Sequence, residues 1–182
     1  MKPGSDPIGP IGPPMPAPTQ PLLCALLRGE APAWPADSPD VEAFLRDARY
    51  HGVTPLLDAH FRTLGSDPHV EDRWPDAIRR ACREDALVQA MDEFRRRTEI
   101  VGVLAELAKA GIAPLILKGT ALAYSHYADP VLRPRADTDL LVAPSDRESA
   151  MRVLQTLGYR RVSGPAGANV GYQAEMTRID PH

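Results

Sequence analysis

The residues able to do chemistry lie between positions 115 and 142. An apolar run ends in Leu117-Lys118-Gly119-Thr120, and about twenty residues later Asp137-Thr138-Asp139 enters Leu140-Leu141-Val142. Side chains alternate along a strand, so Asp137 and Asp139 are expected to project from one face, with Thr138 turned into the packing. Two carboxylates this close repel unless a cation lies between them. Hard oxygen ligands of this kind suit Mg²⁺, whose remaining positions go to water and phosphate oxygens. Gly119 is expected to form the turn from strand to helix and to let a phosphate approach the backbone. The amides after it open a helix, where anions bind, and the Thr120 hydroxyl is expected to add a donor. Lys118 and Arg133 are cations that can balance phosphate or the acidic pair. The expected nucleotide-binding residues are therefore Lys118, Gly119, Thr120 and Arg133, and the expected metal ligands are Asp137 and Asp139.

Each part has a plainer reading. A single Asp-x-Asp is common on exposed strands and turns, and a Lys-Gly pair is less specific still. No Gly-x-x-x-x-Gly-Lys-Ser/Thr is present, so the site is not a P-loop. What points to chemistry is the combination of strand, glycine turn, helix and acid pair.

These residues need elements to hold them. Eleven of the 20 prolines precede residue 40, so residues 1–20 are expected to be a disordered, proline-rich tail. Residues 21–110 read as a helical region. Leu22–Leu27 is a short helix stopped near Gly29. Ser38-Pro39 and Thr54-Pro55 give cap signals for two more, the first with Val41, Phe44, Leu45 and Ala48 on its apolar face. Trp74-Pro75-Asp76 opens the longest helix, running to about Ala110. Leu87, Met91, Phe94, Val101, Leu104 and Ala108 recur on one of its faces and are expected to pack in the core. Residues 111–182 then read as β-α-β-α-β-β. The expected fold class is α+β, a small mixed sheet preceded by a helical subdomain.

Composition narrows the function. A formal net charge of −3 gives no global basic field for DNA. Arg95, Arg96 and Arg97 sit among Asp85, Asp92, Glu93 and Glu99 and read as a solvated helix face rather than an RNA contact. Cys24 and Cys82 match no metal or redox spacing and are expected to be free thiols. No signal peptide or membrane span is visible, so the expected location is the cytoplasm.

Leu117-Lys118-Gly119 with Arg133-Pro134-Arg135-Ala136-Asp137-Thr138-Asp139-Leu140-Leu141-Val142 resembles the signature of the DNA polymerase beta-like nucleotidyltransferase superfamily. It is most similar to an uncharacterised bacterial branch with a Lys-Gly turn and an Arg-Pro-x-x-Asp-x-Asp strand. The resemblance covers residues 112–160 best and extends to the helices from Leu22 to Leu64. It implies Mg²⁺-dependent transfer of a nucleoside monophosphate from a nucleoside triphosphate to an acceptor hydroxyl, with Asp137 and Asp139 catalytic. The acceptor stays open among small molecule, peptide, protein and RNA. Two departures accompany it. Thr120 stands where the turn usually has a second Gly or Ser. Active members also use a third carboxylate on a later strand, for which this chain offers Glu175 or Asp180. The sequence therefore reads as a core cut short or degenerate, and the alternative function is a nucleotide- or partner-binding scaffold without turnover.

Overall fold

Glycine and proline breakers cut the first third of the chain into short helices in the computed structural model, which describes residues 19–36, 40–64, 74–162 and 174–178. Residues 1–18 of the expected tail and the Ser38-Pro39 cap lie outside the described residues. Helix α1 (Thr19–Leu27) begins inside the expected tail, with Pro21 in its first turn where no backbone donor is needed. Helix α2 (Val41–Tyr50) is capped by Asp40, whose carboxylate accepts from the Glu42 amide at 2.9 Å. Gly52, at φ 64°, makes the left-handed turn into helix α3 (Thr54–Leu64).

The chain packs as two compact units, Met1–Gln89 with Val131–Pro134, and Ala90–Pro130 with Arg135–His182. The core of the first joins Leu22, Leu23 and Leu26 to Phe44, Leu45, Ala48 and Leu57, with Trp74, Ile78 and Cys82. Trp34, Phe44, Phe61 and Trp74 form an aromatic cluster with centroids 5.0–5.5 Å apart. The Trp74 indole donates to the Pro32 carbonyl at 2.7 Å, so its one polar atom is satisfied. Both cysteines are free; Cys24 is exposed, and burial pushes the Cys82 thiol up to about 12.

Helix α4 (Asp76–Lys109) is the long helix expected from the periodicity. Its buried face is not the expected one. Leu87, Met91, Phe94 and Val101 are 53–73% exposed, whereas Ile100, Val103 and Leu107 are buried. Neighbouring residues on a helix point about 100° apart, so Ile100 and Val101 cannot share a core face. The sequence carries two overlapping apolar stripes, and packing uses the shorter one. Phe44 (0% exposed) and Phe94 (73% exposed) therefore differ sharply. Phe44→Ala is expected to cost about 3–5 kcal/mol and Phe94→Ala within about 0.5 kcal/mol, read from urea unfolding midpoints.

In the second unit, strand β1 (Leu115–Leu117) pairs antiparallel with β2 (Asp139–Leu141), in the register Leu115↔Leu141, Ile116↔Leu140 and Leu117↔Asp139. Between them run helix α5 (Lys118–Ser125) and a 3₁₀ turn at Pro130–Leu132. A second 3₁₀ turn (Pro144–Asp146) leads into helix α6 (Arg147–Thr156). Strands β3 (Arg160–Arg161) and β4 (Met176–Thr177) form a separate antiparallel pair. The element order matches the expected β-α-β-α-β-β and the class is α+β; among the described residues the sheet is two antiparallel pairs. Val103, Leu107, Ile112 and Ala150 form the core here, with Leu140, Val142, Val153, Leu154, Leu157 and Tyr159 against it. Leu140 and Val142 thus hold β2 on α4 and α6 and fix the residues that precede it. No helix among the described residues is long and apolar enough to cross a membrane.

Candidate active site

The site is built where β1 turns into α5 beside the start of β2. The turn is made by Lys118, at φ 51°, the one non-glycine residue with positive φ among those described. Gly119, expected to be the turn, already lies within α5 and has no left-handed φ. A Cβ there meets Arg135 at 3.7 Å, ordinary contact, so neither backbone conformation nor crowding demands glycine. The N-cap, Leu117, makes no side-chain capping bond.

The register explains the first contact of the site. Leu117 stands opposite Asp139, so the next residue, Lys118, reaches across the end of the ladder. Its Nζ donates to Asp139 Oδ1 at 2.9 Å. The Lys118 ammonium is held above its ordinary pKa, first by this hydrogen bond and then by the Asp139 charge, with Asp137 adding to it. Asp139 is half-buried and lies in β2, while Asp137 is exposed and precedes the strand. Strand alternation therefore accounts for Asp139 alone. Asp137 adds a smaller electrostatic contribution to the same ammonium, while the direct contact is with Asp139.

Thr120 is 1% exposed and its hydroxyl is already engaged. It donates to the Asp137 carbonyl at 3.3 Å, lies 3.2 Å from the Thr138 hydroxyl, and accepts from Arg135 Nε at 3.1 Å. The expectation of a free hydroxyl donor is corrected: this side chain pins the acid-bearing segment to α5. Thr138 turns inward as expected.

Behind Thr120 lies a buried polar network. Arg135 and Glu93 have side chains 3% and 7% exposed, with Nη1 2.9 Å from Oε2. Nη2 donates to Glu93 Oε1 at 2.9 Å, and the Tyr124 hydroxyl donates to the same oxygen at 2.6 Å. Oε2 has no hydrogen bond among the described residues, so the Arg135 charge is its compensation. The Arg135 guanidinium lies 5.4 Å over the Tyr124 ring. Burial, then the bond to Glu93, raises the Tyr124 hydroxyl pKa. Sequence reading missed this group: Glu93 lies 42 residues from Arg135 and read as part of a solvated face.

Arg133 belongs to Val131–Pro134, which packs with the first unit. Glu175 is exposed beside β4, its carbonyl accepting from the Val162 amide at 3.0 Å. Asp180 lies outside the described residues. Among those described, no group of three Asp, Glu, His or Cys side chains is placed to hold a metal.

A family model described as an uncharacterised nucleotidyltransferase matches residues 37–182. The chain belongs to this family. The match takes in both the first-unit helices from α2 onward and the whole Lys118–Asp139 site, and it assigns the chain the general activity of nucleotidyl transfer. No curated protein and no solved structure matches the chain.

Proposed function

We propose that this nucleotidyltransferase moves a nucleoside monophosphate from a nucleoside triphosphate to an acceptor hydroxyl, using Mg²⁺ held by Asp137 and Asp139. The observation that carries the reading is the Lys118–Asp139 ion pair where β1 turns into α5, with Asp137 two residues before Asp139. The fit to a divalent cation is chemical. Asp139 already binds a positive charge, and one or two carboxylates are what Mg²⁺ takes from a protein when phosphate and water complete its shell. Bound there, the ion would neutralise the charge that develops on the phosphate oxygens.

The chain's own residues do the rest. The half-buried backbone of Gly119, at the positive end of α5, would meet the triphosphate. Lys118 supplies a mobile point charge for its oxygens. Thr120 and Arg135 fix the segment bearing Asp137, so the acids are positioned before substrate arrives. The acceptor hydroxyl then attacks the α-phosphorus and pyrophosphate leaves. Arg133 is given no role in this scheme.

Ligand binding is the direct check. MgATP at 100 times its Kd is expected to stabilise the fold by about 2.7 kcal/mol, seen as a rise in Tm. ATP with EDTA in place of Mg²⁺ is expected to give a much smaller rise. Equal shifts with and without the metal, or none at saturation, would remove the reading.

A further inference from the structure

Lys118 carries more than the reading above requires. Its side chain is 64% exposed, so packing does not hold it, and the ion pair to Asp139 gives it a seat. Its backbone sits in the left-handed region at φ 51°, which side chains other than those of glycine, asparagine and aspartate rarely adopt. Strained conformations of this kind gather at clamps and switches. The cost brings the ammonium to the carboxylate that a metal would use. A divalent cation on the Asp139 carboxylate would lie close to the Lys118 ammonium, and the two positive charges would repel.

We propose that Lys118 is an exchangeable counter-ion: it occupies the Asp139 carboxylate while the metal is absent and passes to the nucleotide phosphates when metal and nucleotide bind together. This rests on the functional reading above. The exchange is one of charge for charge and needs no proton transfer. Without nucleotide, a metal ion on Asp139 would weaken the Lys118 ion pair with no new partner for the ammonium. With nucleotide, the displaced ammonium gains phosphate oxygens, so its loss from Asp139 is compensated. Metal and nucleotide should therefore bind with positive coupling, and each strengthens the other by the same factor. The device neutralises one of the two acids when the site is empty and makes the site selective for the metal–nucleotide pair.

Mn²⁺ is the probe, followed by its electron paramagnetic resonance signal, with and without a nonhydrolysable ATP analogue. In the wild type, Mn²⁺ is expected to bind weakly alone and at least about fivefold more tightly with the analogue. Lys118→Met is expected to bind Mn²⁺ alone at least about fivefold more tightly than wild type and to lose most of the coupling. Unchanged, weaker or undetectable Mn²⁺ binding in Lys118→Met overturns the exchange. Asp139→Asn separates that failure from failure of the site. If Asp139→Asn abolishes Mn²⁺ binding in the presence of the analogue, the metal site stands whatever Lys118 does. If it binds Mn²⁺ as well as wild type, the site assignment and the exchange both fall.

Discussion

Arg135→Ala is expected to lower the unfolding free energy by about 3–5 kcal/mol, because it removes one partner of a buried ion pair. The substitution leaves the Glu93 carboxylate, 7% exposed, with the Tyr124 hydroxyl alone in place of a two-point guanidinium. An ion of that size in a poorly solvated site keeps its desolvation cost and loses the charge that offset it. Glu93→Ala is expected to be comparably damaging, because it strands Arg135. The double change Arg135→Met with Glu93→Leu is expected to recover most of the loss, since an apolar pair leaves no buried charge. Urea unfolding of the four proteins forms a double-mutant cycle, and the expected coupling exceeds about 1 kcal/mol. Single variants that unfold within about 0.5 kcal/mol of wild type would show that the pair is solvated and has no structural weight. The consequence reaches the site through Thr120. Arg135 holds its hydroxyl, and that hydroxyl holds the Asp137 carbonyl and Thr138.

The sequence made the element order legible because its punctuation is strong. Gly29, Gly52, Gly111 and Gly158 all adopt positive φ after helices, and the helices at Val41, Thr54 and Asp76 start close to where the cap signals place them. Strand β2 was legible from Leu140-Leu141-Val142 and its pairing partner from Leu115-Ile116-Leu117. The buried face of α4 was not. Its heptad-spaced apolar residues are exposed while Ile100 is buried and Val103 and Leu107 meet α6 and β2, a choice set by contacts distant in sequence. Periodicity alone does not rank two stripes on the same helix.

The acids of the site were legible, and their surroundings were legible only in part. Lys118 pairs with Asp139, and Asp137 adds a smaller electrostatic contribution to the same ammonium. The turn conformation passed from Gly119 to Lys118, because the residue after the last ladder position has to reverse the chain before the helix begins. Thr120 looked like a phosphate donor from its place at a helix start; burial made it a tether instead. Glu93, Arg135 and Tyr124 form a group only once α4, α5 and the segment before β2 are packed, so no local pattern announces them. One signal was available: an arginine two residues before the first acid, in a motif that already had Arg133 and Lys118 for phosphate.

The account stands or falls on Asp139. It lies at the centre of the charge cluster, on a rigid ladder position, and its carboxylate is the one already bound to a cation. Loss of groups that merely orient a metal ligand costs about 10–100-fold in activity or affinity, so loss of the ligand itself is expected to exceed about 100-fold. Asp139→Asn keeps the side chain's volume and removes its charge, and Asp139 is half-buried outside the core, so the fold is expected to survive. The decisive measurement compares wild type and Asp139→Asn incubated with α-phosphate-labelled nucleoside triphosphates, Mg²⁺ and cell extract as the source of acceptor. Wild type is expected to transfer label, and Asp139→Asn, folded by circular dichroism, to transfer less than about 1% as fast. Transfer at the full rate by the variant would contradict the account.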